Sequence, residues 1–259
     1  LLGSGLAPEA AVDALFQPRS GSRVEWVRIA AHLGEVAQCR PLAARLVELG
    51  YQVGLNMMQA AGKPVERITA LAREVAAWDS VAVLYFADSF GSMDGAEVAR
   101  MVDALAAGWD GAIGIHAHNN KSLAVQNTLA AIAHGASFVE ATVTGMGRGA
   151  GNAELEILLC ELDARGIRAS RLEELSSLCV NGFQPLKEHY GWGASFFYHY
   201  SALHDVHPMF AQTLMADPRY SAREKFSALR SLAARNSTSF SLTEVERSLH
   251  SFRDDRPLD

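Results

Sequence analysis

The feature that most constrains this chain is a fivefold alternation of short apolar runs with longer amphipathic ones. Residues 24–30 (VEWVRIA), 51–58, 81–87 (VAVLYFA), 112–116 and 138–144 each read as a strand. Residues 41–49, 65–78, 97–107, 122–134 and 153–165 each read as the helix that follows, with Gly50 placed to stop the first. Residues 8–16 open on Pro and Glu and read as a short helix ahead of them. Strand–helix alternation implies a parallel sheet covered by helices. The expected fold is α/β, a TIM (β/α)8-type barrel. Such a barrel has eight strands, whereas this sequence offers five and a stub at Leu1–Leu2. The chain does not open on Met, so the first two strands and most of the third are expected upstream or from another molecule. An open doubly wound sheet is the alternative. The barrel portion is expected over 1–170 and a helical C-terminal domain or lid over 171–259.

The chemistry gathers in residues 112–156, AIGIHAHNNKSLAVQNTLAAIAHGASFVEATVTGMGRGAGNAELE. His116 and His118 stand two apart at a strand end, so both imidazoles point to one side. Such a pair can occupy adjacent positions on a divalent metal; taken alone, it is more often two polar side chains at a strand mouth. The GMGRGAGN run allows tight turns and close backbone approach, and Asn152 follows at a helix start. Both pieces sit where a barrel's βα loops carry its chemistry.

Composition narrows the function. A net charge of −6, with no basic stripe, argues against nucleic acid. No apolar run is long enough to span a bilayer and no signal segment is evident, so the expected location is cytoplasmic. Three scattered cysteines, Cys39, Cys160 and Cys179, fit no zinc spacing and read as reduced, buried thiols.

Beyond residue 171 the strand signal ends. His189, Tyr190, Trp192, Tyr198, His199, Tyr200, His204 and His207 crowd a helical, aromatic stretch. Most read as a packing or dimer surface; the functional reading is a lid that brings a Tyr or His over the barrel mouth. Thr243 and Glu246 have the spacing of a capping box for a last helix, and the tail FRDDRPLD reads as frayed.

In order, VEWVRIAAH, VGLNMMQ, LYFADSFGSM and the HAHNN…GMGRGAGN pair resemble the successive strand ends of the DRE-TIM metallolyase superfamily, and within it the 4-hydroxy-2-oxovalerate aldolase-like branch. The resemblance covers roughly residues 24–159 and implies His116 and His118 as metal ligands. It implies Asn152 at or near the metal, Asp88 and Ser89 near the substrate, and His32 facing the pocket. Tyr198 and Tyr200 are the candidates for a catalytic tyrosine. The family's first-strand aspartate ligand and catalytic arginine have no counterpart here and are expected upstream of Leu1. Asp88 is the best local carboxylate, with a turn cap as its other reading; Glu140 reads as an inward polar residue needing a Lys or Arg from the upstream strands.

The resemblance implies a class II aldolase that cleaves or forms a 4-hydroxy-2-oxo acid, giving pyruvate and an aldehyde. Mixed N/O ligands suit Mn²⁺, Mg²⁺ or Co²⁺, of which the resemblance favours Mn²⁺ or Mg²⁺, and a 2-oxo acid can chelate such a Lewis acid through its carboxylate and keto oxygens. Two alternatives stand: an acyl-CoA condensing enzyme of the isopropylmalate or homocitrate synthase type, and a non-catalytic binding subunit. The expected partners are a small 2-oxo acid, a second copy of the chain and, by resemblance alone, an aldehyde dehydrogenase.

Overall fold

The structure, a computed structural model, describes residues 5–254, and only the backbone of 250–254. The stub expected at Leu1–Leu2 and the end of the tail, 255–259, lie outside the described residues. In chain order the elements begin with α1 (Pro8–Asp13), β1 (Trp26–His32), α2 (Arg40–Glu48), β2 (Gln52–Met58) and α3 (Val65–Ala76). They continue with β3 (Val83–Asp88), α4 (Gly95–Ala106), β4 (Ala112–Ala117), α5 (Ala124–Ala133) and β5 (Phe138–Val139). After them come only helices: α6 (Leu155–Ala164), α7 (Leu172–Ser177), a π-helical turn (Leu178–Phe183), α8 (Gln184–Tyr190) and α9 (Phe196–Leu203). The last three are α10 (Pro208–Ala216), α11 (Ala222–Ala234) and α12 (Leu242–Asp254). The chain forms two compact units. Among the described residues, one takes 5–89 together with 94–116 and 127–140; the other takes 90–93, 117–126 and 141–254.

The first unit is the expected α/β layer. Its strands lie in the order β1-β2-β3-β4-β5, with β1/β2, β2/β3 and β4/β5 parallel. All six residues of β3 are buried, as a strand covered on both faces requires. Helices α3 and α4 turn stripes at three- and four-residue spacing onto the sheet: Ile68, Ala72 and Val75 from one, Val98, Met101, Val102 and Leu105 from the other. Each fully buried Leu or Ile of this layer contributes about 1.5–3 kcal/mol.

The sheet curls. Trp26 and Phe138, at the two ends of the strand order, bring their rings to 5.4 Å, and Arg28 of β1 is hydrogen-bonded to Glu140 just past β5. Tyr85 fills the middle of that face. A Cβ on Gly114 would stand 2.2 Å from its ring, and one on Gly54 would stand 3.0 Å away, so the two neighbouring strands leave room for it by carrying no side chain.

Several boundaries differ from the sequence reading for local reasons. Residues 138–144 were expected as one strand, but only Phe138–Val139 pairs in the sheet. The segment beyond bonds to residues 153–155 instead: Thr142 donates to Ala153 O, and Leu155 donates to Thr142 O. Helix α5 starts at Ala124 rather than Ser122, because Ser122 has φ 59° and Asn119 Oδ1 accepts the Ala124 N–H at 3.1 Å. Thr243 does not cap α12: the helix has begun by Leu242, with Val245 donating to Ser241 O. A complete capping box stands instead on α11, between Ser221 and Glu224. The thiols are not uniformly buried either. Cys39 is, and burial followed by the charge of Glu35 pushes it up to about 11, but Cys160 is exposed on α6 and Cys179 is half-buried in the π-helical turn.

The second unit has its own core, in which Val206, Phe210, Leu214, Leu229 and Leu232 are buried with Tyr198 of α9. No helix among the described residues is long and apolar enough to cross a membrane. Helix α10 is capped by His207, whose Nδ1 accepts the Met209 N–H at 3.2 Å. That bond needs a neutral ring, and burial followed by the charge of Arg148 holds His207 below its ordinary 6.5. A depressed histidine leaves the unfolded chain binding more protons, so stability is full above 6.5 and falls as pH drops from there toward the folded value. His207→Asn keeps a capping acceptor without the titration. Urea unfolding at pH 7.5 and 5.5 should show the parent losing more stability than the variant, by at most about 1.4 kcal/mol because pH 5.5 lies one unit below the ordinary value; equal losses would refute the role.

Candidate active site

Two clusters carry the residues expected at the site, one in each unit. In the first unit, β4 sets His116 two residues beyond Gly114, on the face that Tyr85 covers. The parallel register pairs Gly114 with Phe138, which brings Glu140 alongside His116. His116 Nδ1 lies 2.7 Å from Glu140 Oε2, and the Arg28 guanidinium donates to the same oxygen. Burial alone would raise Glu140, but the His116 hydrogen bond and the Arg28 charge outweigh it and hold the carboxyl below its ordinary value. An ionised carboxylate only accepts, so Nδ1 carries the hydrogen of this contact. Arg28 also lies over the Tyr85 ring, 5.7 Å from its centroid. Burial, with the Glu140 charge added, raises the Tyr85 phenol.

In the second unit the glycine-rich loop folds back on the residues that follow β4. His118 and Asn152 form an isolated antiparallel bridge, which sets their side chains next to each other. Gly151 O accepts from Asn119 N at 3.0 Å and from His118 Nδ1 at 3.2 Å. A carbonyl only accepts, so this ring too holds a hydrogen on Nδ1. The Asn152 amide donates through Nδ2 to Met146 O at 2.9 Å, while its buried Oδ1 has no hydrogen-bond partner. Gly151 has φ 78°, and a Cβ there would stand 2.2 Å from Gly145 O.

The aromatic stretch divides. Tyr198 is buried in the second unit's core and lies against the loop, where a Cβ on Gly149 would be 3.2 Å from its ring. Burial raises its phenol, partly offset by Arg148. Tyr200 turns instead to Phe226 and His204, with ring centroids 4.8 and 4.4 Å away. Trp192, flanked by glycines in the sequence, donates from its indole to Thr144 O at 3.0 Å, and Gly193 N donates to Gly149 O. These contacts bound a cavity of about 500 Å³ lined by Asn119, Thr144, Asn152, Glu154, Lys187 and Trp192, among others.

The remaining candidates sit in the first unit. His32 ends β1 exposed to solvent, its N–H donated to Glu35 Oε2 at 3.0 Å. Asp88 ends β3 fully buried, on the face that alternation gives to Leu84 and Phe86. Ser89 Oγ accepts the Gln59 N–H at 2.9 Å. Glu140 does not wait for a cation from upstream strands, because Arg28 supplies it. Sequence reasoning passed over Arg28, although an arginine inside VEWVRIA was a signal, and passed over the GWG setting of Trp192.

Among the described residues no three His, Cys, Asp or Glu side chains gather as a metal site. In the second unit the donor chemistry nevertheless suits a divalent cation, with the His118 imidazole held through Nδ1 beside the partnerless amide oxygen of Asn152; in the first, His116 is likewise held through Nδ1.

A parallel α/β sheet of TIM-barrel type, with an HxH strand end followed by a GxGxGAGN loop, is the arrangement of the DRE-TIM superfamily. The chain belongs to the HMGL-like family, whose model matches residues 23–179. It is 35% identical over 161 residues to a 4-hydroxy-2-oxovalerate aldolase of Bacillus cereus, covering 62% of this chain and 47% of that one. It is 30% identical over 190 residues to an oxaloacetate decarboxylase of Mycobacterium tuberculosis, covering 70% and 55%. The chain thus spans about half the length of the curated relatives it matches. Among solved structures, the N-terminal domain of a candidate aldolase from Bacteroides vulgatus superposes with a TM-score of 0.74 at 27% identity, over 84% of this chain and 71% of that one. The carboxyl transferase domain of Rhizobium etli pyruvate carboxylase shares the fold, with a TM-score of 0.72 at 14% identity over 96% of this chain and 45% of that one.

Gly151→Ala tests the loop. The left-handed backbone and the Gly145 carbonyl both oppose a Cβ, so the variant should lose about 1–3 kcal/mol, read by chemical denaturation. A variant as stable as the parent would show that the loop does not need this turn.

Proposed function

We propose that this protein is a divalent-metal-dependent lyase of 2-oxo acids, and that its reaction is the aldol cleavage of a 4-hydroxy-2-oxo acid to pyruvate and an aldehyde, or the reverse condensation. The observation that carries the reading is the bridged pair His118 and Asn152, one with its ring oriented through Nδ1 by Gly151 O, the other with a buried Oδ1 lacking a hydrogen-bond partner. The aldolase relatives support the same chemistry. His116, His118 and Asn152 are the proposed ligands, completed by a carboxylate. A Mn²⁺ or Mg²⁺ ion held there would supply Lewis acidity at the keto oxygen of the 2-oxo acid.

The chain's own residues take the remaining roles. Ser89, which alternation puts on the Tyr85 side beside the buried Asp88, is proposed to face the substrate's carboxylate and carbonyl, and His32 is the candidate base for the C4 hydroxyl. Tyr198 is the better of the two tyrosines, because it lies on the glycine-rich loop while Tyr200 is turned to Phe226. Its raised phenol stays protonated near neutral pH, which suits it to donate a proton or a hydrogen bond rather than to abstract one.

The decarboxylase relative favours a second reading. Loss of carbon dioxide from a 2-oxo-4-carboxylate and retro-aldol cleavage of a 4-hydroxy-2-oxo acid both leave the three-carbon enolate of pyruvate, so one set of groups serves either. The two readings part at C4, where only the aldol needs a base.

Metal content and pyruvate release on the full-length gene product decide between them. Chelator-sensitive pyruvate from 4-hydroxy-2-oxopentanoate supports the aldolase; pyruvate from oxaloacetate alone supports the decarboxylase. Failure to take up metal even with Mn²⁺ supplied would overturn both. His116→Ala should abolish metal binding and turnover while leaving the circular dichroism spectrum unchanged, and retained metal stoichiometry would remove His116 from the ligand set. Tyr198→Phe should lower kcat by about 10²–10⁴ if it is the proton donor, with Tyr200→Phe near the parent.

A further inference from the structure

Glu140 has no role in the reading above, yet it is the most heavily engaged carboxylate of the first unit. It is partly buried, it accepts from His116 Nδ1 at 2.7 Å, and Arg28 donates to the same oxygen. Arg28 is itself held against the Tyr85 ring. These contacts come from opposite ends of the strand order, β1 and the residue after β5, so the carboxylate is braced from outside its own strand. Resting on the metal-dependent reading above, we propose that Glu140 is the positioning residue of His116. It accepts the hydrogen bond from Nδ1 and so fixes the ring plane and the tautomer, with Nε2 as the nitrogen that would meet the cation. Arg28, donating to the same oxygen from β1, holds the carboxylate in place against the ring. The physical reason is that an imidazole without a partner on Nδ1 divides between two tautomers and rotates about its Cβ–Cγ bond. A ligand that must first be oriented binds more weakly, and a carboxylate on Nδ1 also raises the basicity of Nε2.

The test has one readout that needs no metal. In the metal-free full-length protein with ¹⁵N-labelled histidine, long-range ¹H–¹⁵N spectra should show His116 as the neutral Nδ1–H tautomer. Glu140→Ala should shift that resonance pair toward a tautomer mixture and leave His118 unmoved. Calorimetric titration of the metal-free protein with Mn²⁺ should then give a Kd weakened about 10–100-fold in Glu140→Ala. Glu140→Gln, which keeps an acceptor, should restore the tautomer and part of the affinity. If Glu140→Ala does not fold, Arg28→Met leaves the carboxylate in place and should weaken Mn²⁺ binding by less. An Nε2–H tautomer in the parent, or a tautomer and Kd unchanged in Glu140→Ala, would overturn the proposal. A parent that shows the expected tautomer but takes up no Mn²⁺ would overturn the metal reading, and with it the metal part of this proposal.

Discussion

A carboxylate on the inner face of a sheet must find a counter-charge or give up its proton, and here the counter-charge comes from the far end of the strand order. Arg28 leaves β1 and Glu140 follows β5. The two can meet only if the intervening strands curl, so the ion pair and the curvature imply each other. The curl in turn brings Tyr85 over β2 and β4, which is possible because both strands have glycine at the point of contact, Gly54 and Gly114. The Trp26–Phe138 contact closes the same end. A partly buried pair of this kind contributes little net stability once desolvation is counted. Its consequence is directional: the carboxylate is held facing His116 Nδ1, 2.7 Å away.

The second unit reaches a similar end by backbone means. Gly151 turns through a left-handed conformation that a side chain would oppose, and its carbonyl then accepts from both His118 and Asn119. One peptide group thereby orients an imidazole, pins the residue after it and sets Asn152 across the bridge. Trp192 and Gly193 hold the same loop from the helical side through Thr144 O and Gly149 O. The two histidines of HxH are therefore oriented differently, one by a charged side chain and one by a peptide carbonyl.

Much of this was legible in the residues. The five apolar runs became five strands within two residues at their starts, because a strand covered by helices must be apolar for most of its length. The helical character past residue 171 held as well. The misreadings were local competitions that periodicity does not register. Residues 138–144 read as one strand, but past Glu140, whose N–H still reaches Ile115 O, Thr142 bonds to Ala153 and Leu155 instead. Ser122 reads as a helix start, but its positive φ hands the cap to Asn119. Thr243 and Glu246 have capping-box spacing, but Ser241 O is already accepting helical bonds. Tyr198 and Tyr200 were indistinguishable by composition and are separated only by which neighbour each meets.

The sequence alone determined the alternation of elements, the shared side of His116 and His118, and the need for turns at the glycines. These depend on side-chain polarity, a period of two, and φ, all of which are local. Tertiary structure decided which carboxylate serves His116, which cation serves that carboxylate, which carbonyl serves His118 and which tyrosine lies on the loop. Arg28 and Glu140 are 112 residues apart, and His118 and Gly151 are 33 apart. Partners at such separations are fixed by strand register and sheet curvature, and neither is written in any short stretch of the chain.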